Sequence, residues 1–196
     1  MSAKPQITSQ AALQQLQEGN RRFAAGTPLH PHQDETTRQR LISGQSPFAV
    51  VVGCSDSRIP PEILFDQGLG DLFVVRAAGN PACDMAQWSA EYAVDHLGAP
   101  LLVVLGHSGC GALTAAVQNA AAGQPASGLL ALFDSAVREA QTRSGDLLEN
   151  AIECEACQAA QQLAESGTIL PAAIQAGKLL VKAAIYHQDS GLVEWL

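Results

Sequence analysis

The chain is predicted to fold as an α/β domain, with a central, mostly parallel β-sheet flanked by helices, an antiparallel C-terminal edge strand and an N-terminal helical arm. Three observations carry this. Four short runs, 48–52, 72–77, 101–105 and 179–186, have strand length and are apolar almost throughout, as strands buried on both faces should be. Helical patterns fill 85–97, 112–122, 128–142 and 147–166, so strand and helix alternate, the order that gives a parallel sheet. Gly98, Gly123 and Gly167 stand just past three of those helices, where a left-handed residue ends a helix.

The arm covers residues 1–44. Ser9 is the expected N-cap of a helix over 10–23 that ends before Gly26, and Asp34 the cap of a second helix running to Gly44. Leu13, Leu16 and Phe23 are too few apolar residues for the arm to fold alone, so it must lie on its own domain or on a partner subunit. After the last long strand, 187–191 is a cluster of turn residues, and 192–196 returns as the antiparallel edge.

The 196 residues form one domain large enough for a real core, with 47% hydrophobic and 15% charged residues. A net charge of −8 with no basic cluster argues against nucleic acid, whose phosphates call for Lys and Arg. The apolar runs are too short to span a bilayer, and the first residues lack a signal-peptide core. Five cysteines, an odd count, suit thiols that ligate metal or pack in a reducing cytoplasm.

Two stretches carry the chemistry. Gly53-Cys54-Ser55-Asp56-Ser57-Arg58 follows the first apolar run, and Gly106-His107-Ser108-Gly109-Cys110-Gly111 follows the third. Ligands in open parallel sheets bind at the carboxyl ends of strands. One distant Cys with an H-x-x-C pair is a zinc donor set that leaves a fourth position open, and zinc brings the pKa of a bound water toward neutrality. Glycines 106, 109 and 111 are expected to let the backbone fold tightly around the metal. Arg58, two residues from Asp56, can hold its carboxylate in a two-pronged contact, keeping it ionised and away from the open position. A structural zinc site would need a fourth protein ligand, for which Asp56 is the only obvious candidate. A nucleophile-elbow reading of Gly106–Cys110 fails because Cys110 stands where that motif has Gly.

These motifs, the stretch 65–80 (Phe65-Asp66-Gln67-Gly68 through Ala78-Gly79-Asn80), the opening 16–23 and the closing 191–195 resemble a β-class carbonic anhydrase over nearly the whole chain. The resemblance implies reversible hydration of CO2 to bicarbonate and a proton through a zinc-bound hydroxide. One Zn2+ per subunit would sit on Cys54, His107 and Cys110, with Asp56 and Arg58 catalytic. It further implies an obligate dimer, often assembled into tetramers or larger, with the active sites at the dimer interface and the N-terminal arm on the partner. The plant-like type of the family carries a Gln, a Phe and a Tyr in the substrate pocket, at positions matching Gln45, Phe73 and Tyr92, and the backbone N–H of Gly111 would be a further donor. The other type has Trp three residues before the first Cys. Val51 stands there, which implies an open zinc rather than one capped by Asp56. Relatives that hydrolyse carbonyl sulfide or carbon disulfide share this zinc site and are the alternative.

Departures are few. Ile59 follows Arg58 where Val is commoner, and Glu155 falls where relatives place Asn-Val, which bears on local packing or an interface. Cys154-x-x-Cys157 lies inside a helical pattern and reads as packing, Cys83 as a structural or free thiol, and His30, His32, His96 and His187 as surface or packing residues.

Overall fold

The computed structural model describes residues 7–196; residues 1–6, whose sequence lacks a signal-peptide core, lie outside them. Helix α1 (Ser9–Ala24) and the short α2 (Glu35–Leu41) form the arm. The cap of α1 is Thr8, not Ser9: its side chain accepts from the N–H of Ala11 at 3.2 Å. Asp34 caps α2, accepting from Thr37 N at 2.7 Å. Helix α1 lies on its own domain. Ala12, Leu13 and Leu16 are buried, and Asn20 donates to the carbonyls of Leu64 and Gly191 and accepts from Val193 N. Helix α2 buries only Thr37, although Leu41 rests against Gly70.

Five strands make one sheet: β1 (Ala49–Gly53), β2 (Leu72–Arg76), β3 (Leu101–His107), β4 (Leu180–Tyr186) and β5 (Val193–Trp195), in the order β2-β1-β3-β4-β5. All pairs are parallel except β4 with β5. Every residue of β1 and β3 is buried, because helices cover both faces, and this is why their runs are continuously apolar. The chain leaves β1 for β2 on one side and reaches β3 on the other. The carboxyl ends of β1 and β3 therefore flank a topological switch point, where a crevice opens.

Helices α3 (Pro61–Leu64), α4 (Asp84–Asp95), α5 (Gly111–Ala121), α6 (Asp134–Ala140), α7 (Leu147–Glu165) and α8 (Ile169–Gln175) complete the fold. Gly98, Gly123 and Gly167 all have the positive φ expected of helix stops. The single helix expected over 128–142 is instead a 3-10 helix, Gly128–Phe133, followed by α6. With three residues per turn, Leu130 and Phe133 align inward and Leu129 and Leu132 outward, a division an α-helix would blur. Two helices, α3 and α8, lie where no element was expected. Each has proline in its first turn, Pro61 and Pro171, where the missing N–H costs nothing.

Helix α7 packs across β3 and β4. At Gly106 an added Cβ would lie 2.8 Å from Ile185 Cδ1 of β4 and 3.4 Å from Ala156 Cβ of α7, so this strand glycine makes room for the neighbouring Ile185 side chain beneath α7. All five cysteines are free. Cys154 is buried, with its thiol pushed up to about 11 chiefly by burial, and burial raises the half-buried Cys157 too, in keeping with packing roles inside α7.

Glu155 is buried on α7 and, among the described residues, has no hydrogen-bond or ion partner; burial pushes its carboxyl up to about 8. From an ordinary carboxylate value to about pH 8 the folded chain holds a proton there that the unfolded chain has released, so stability falls as pH rises through that window. Glu155→Gln is expected to stabilise the protein at pH 8 by a few kcal/mol at most, the gain vanishing near pH 4.5, as read by urea unfolding at both pH values.

Candidate metal centre

Strand β1 ends at Gly53 and delivers Cys54 to the crevice. Strand β3 ends at His107, and after a turn through Ser108 and Gly109 the chain reaches Cys110, the N-cap residue of α5. All three side chains are buried, and their ligand atoms lie within 4.8 Å of one another.

Their protonation is set by what surrounds them. Cys54 Sγ accepts from the backbone N–H of Gly79 at 3.2 Å and of Asp56 at 3.4 Å. The Cys110 thiol and these two amides hold Cys54 well below the usual thiol range against the effect of burial. Cys110 is driven the other way, by the adjacent Cys54 sulfur and by burial. His107 Nδ1 lies 3.1 Å from the carbonyl of Ser108, which accepts its proton, so Nε2 is the nitrogen with the lone pair. That Nε2 is buried without a hydrogen-bond partner. Two thiols contending for one negative charge beside an orphaned imidazole nitrogen form a donor set that a divalent, thiophilic cation satisfies. Two sulfurs and one nitrogen suit zinc with its fourth position open.

Asp56 stands beside the cluster, not in it. Its Oδ1 accepts from Arg58 N and Nε, both at 2.9 Å, and its Oδ2 from Arg58 Nη2 at 2.7 Å. The Arg58 guanidinium keeps this carboxyl far below the ordinary carboxylate range. Arg58 Nη2 also approaches the carbonyl of Gly109 at 3.4 Å, linking the two halves of the site.

A family model described as carbonic anhydrase matches residues 49–193, about three quarters of the chain. The chain belongs to the β-carbonic anhydrase family. A carbonic anhydrase of Mycolicibacterium smegmatis is 41% identical over 198 residues, covering 97% of this chain and 94% of that one. Carbonic anhydrase 2 of Mycobacterium tuberculosis is 53% identical over 113 residues, covering 58% of this chain; the match spans 55%, about half, of that relative's length. Among solved structures, the β-carbonic anhydrase CcaA superposes with a TM-score of 0.73 at 26% identity, covering 93% of this chain and 94% of that one. A Coccomyxa β-carbonic anhydrase in complex with acetazolamide gives 0.67 at 28%, covering 91% and 83%.

Within one β-carbonic anhydrase chain, Gly111 adjoins the cluster as the first residue of α5. The other three residues assigned to the substrate pocket do not. Phe73 is level with Val50, three residues or about 10 Å before the end of β1. It pairs with Tyr92 at 6.1 Å between ring centroids, and Tyr92 is 48% exposed on the outer side of α4. Gln45 is exposed and precedes the opposite end of β1 from Cys54.

Arg76 and Gln188 were not singled out from the sequence. Arg76, at the end of β2, donates from Nε to the Cys54 carbonyl at 2.9 Å and from Nη2 to the Asp56 carbonyl, fixing the loop that carries both residues. A charged residue closing an apolar strand was the available signal. Gln188 offered none, since a glutamine in a turn is unremarkable by type. The four other histidines do not join the cluster: His32 pairs with Asp71 at 2.7 Å, His187 with Glu194 at 2.9 Å, and His96 lies against Tyr92.

The full chain is expected to hold one zinc ion, and Cys110→Ser to weaken zinc binding at least ~100-fold, more than loss of an outer-shell partner usually costs. Metal content after dialysis against a graded chelator measures it.

Proposed function

We propose that the chain is a zinc-dependent carbonic anhydrase that interconverts CO2 with bicarbonate and a proton, and that the buried Cys54–His107–Cys110 cluster, with Asp56 held outside it by Arg58, carries this reading. Zinc in that site supplies the Lewis acidity that lets a water molecule give up its proton near neutral pH. The chain's own residues do the rest. Asp56, ionised and committed to Arg58, keeps one lone pair of Oδ2 free to accept a hydrogen bond from the reacting water and so to orient it. By holding the Asp56 carboxylate, Arg58 would keep it off a zinc held by Cys54, His107 and Cys110, as the resemblance implies for a chain with Val51, a fully buried β1 residue paired to Val74 and Val103. The backbone N–H of Gly111, the first residue of α5, would be a further donor to the anionic product, while those of Ala112 and Leu113 turn toward the Cys110 sulfur.

The partner in this reading is a second copy of the chain. Strand β2 is the free edge of the sheet, and beside it α4 exposes Met85, Trp88 and Tyr92 on one face. Docking that edge on a second copy would bring Phe73, Tyr92 and Gln45 of one subunit to the crevice of the other, as the resemblance implies, with α2 of the arm following. Larger assemblies of such dimers belong to the same proposal. Among the described residues no helix is long and apolar enough to cross a membrane, and a cytoplasmic site of action fits the free cysteines. Hydrolysis of carbonyl sulfide or carbon disulfide is not favoured, since the relatives and structures named above are all carbonic anhydrases.

Stopped-flow CO2 hydration by the zinc-loaded chain, between about pH 6.5 and 9, is expected to be fast and to persist toward the acidic end. Asp56→Asn is expected to lower kcat/KM by roughly 10²–10⁴-fold with zinc content unchanged. Zinc-loaded protein with no hydration anywhere in that range, or with sulfide release from carbonyl sulfide outpacing it, would overturn the reading. Trp88→Glu is expected to shift the sedimentation coefficient toward the monomer, and an unchanged oligomer would place the interface elsewhere.

A further inference from the structure

Ser108 lies between two ligands of the cluster, and all three of its polar groups are held by the end of β4 and the turn that follows it. Its N–H donates to the carbonyl of Tyr186 at 3.0 Å. Its hydroxyl accepts from the backbone N–H of Gln188, also at 3.0 Å. Its carbonyl accepts from the side-chain amide of Gln188, through Nε2. That carbonyl is also the acceptor for His107 Nδ1, at 3.1 Å. A carbonyl oxygen has two lone pairs, and here His107 takes one and Gln188 the other.

The turn that presents Gln188 is itself anchored. His187 N donates to the carbonyl of Leu192 at 2.8 Å, and Gly191 N to that of His187 at 2.9 Å. Asn20 of α1 donates to the Gly191 carbonyl at 3.0 Å and accepts from Val193 N at 2.8 Å. Gln188 is thus half-buried on a platform tied to α1, β4 and β5, and its amide comes to the outside of the ligand loop. Gly109 completes the fit: an added Cβ there would stand 3.6 Å from Gln188 Nε2.

We propose that Gln188 is a positioning residue for His107: by occupying one lone pair of the Ser108 carbonyl it fixes the direction of the other, and with it the tautomer and aim of the imidazole whose Nε2 faces the two cysteines. The ring's partner fixes which nitrogen is free, and the partner's own hydrogen bonds fix where that nitrogen points. A donor on the carbonyl also polarises it, strengthening its bond to Nδ1–H. This inference rests on the reading of the cluster as a zinc site.

The test uses the full chain and two isosteric replacements that remove the donor, Gln188→Met and Gln188→Glu, with Gln188→Lys restoring a donor at the same place. Zinc affinity is measured by competition with a chelator, and ligand geometry by the visible spectrum of the cobalt(II)-substituted protein. The donor-less variants are expected to keep the wild-type Tm of the metal-free chain, to bind zinc about 10-fold more weakly, the lower end of what outer-shell losses cost, and to show altered cobalt bands. Gln188→Lys is expected to recover most of both. Unchanged affinity and spectrum in the donor-less variants, or an equal loss in Gln188→Lys, would overturn the role while leaving the zinc site standing. Failure of the wild-type chain to bind zinc would overturn the site and this inference together.

Discussion

The site depends on how β1 and β3 are set beside each other. Their parallel register places Gly53 opposite Leu105, so the chain that leaves β1 at Cys54 does so while β3 still has two residues to run. Those two, Gly106 and His107, remain paired to Ile185 and Tyr186 of β4. His107 is therefore a sheet residue, held by ladder hydrogen bonds, whereas Cys54 and Cys110 come from the loops on either side of it. A slip of one residue between the strands would turn His107 to the opposite face and dissolve the cluster. With both strands buried on both faces, that register is kept by the fit of particular side chains rather than by an alternation of polar and apolar residues.

Around this frame the polar groups divide into those that hold backbone and those that hold charge. Arg76 and Gln188 grip carbonyls on opposite sides of the cluster, Arg76 those of Cys54 and Asp56 and Gln188 that of Ser108. Arg58 holds the Asp56 carboxylate. Its side chain is 57% exposed, and ion pairs in such surroundings contribute about 0–1 kcal/mol to stability. The worth of the Asp56–Arg58 pair thus lies in direction: three donors from one residue leave the carboxylate a single orientation.

Much of this was legible in the sequence because it is written in local patterns. The four long strands and the principal helices showed in continuous apolar runs and periodic stripes, and the edge strand in its preceding turn. The three ligands showed because thiols and an imidazole at strand ends have few other uses together. Less was legible where three-dimensional context decides. The 3-10 winding at 128–133 ends on the buried Phe133, and Pro61 and Pro171 mark helix starts that look like breaks. Thr8 and Ser9 are equally good caps by type, and only the entry angle of the chain chose Thr8. Gln188 stands 80 residues from the carbonyl it holds, a separation over which no local pattern speaks.

The approach of Phe133 to Gly79 has an evolutionary consequence. An added Cβ at Gly79 would fall 2.3 Å from Phe133 Cζ, and Gly79 has a φ of +77° while its N–H donates to the Cys54 sulfur. Trimming the phenylalanine first would open room at about 3–5 kcal/mol, yet the φ would still disfavour any side chain there. No order of single substitutions reaches a larger residue at 79 without straining the amide that bonds the ligand sulfur. Position 133 is free to drift among residues that fill the same space, while position 79 is pinned from two independent directions. Descendants of this chain should therefore vary at the aromatic long before they vary at the glycine.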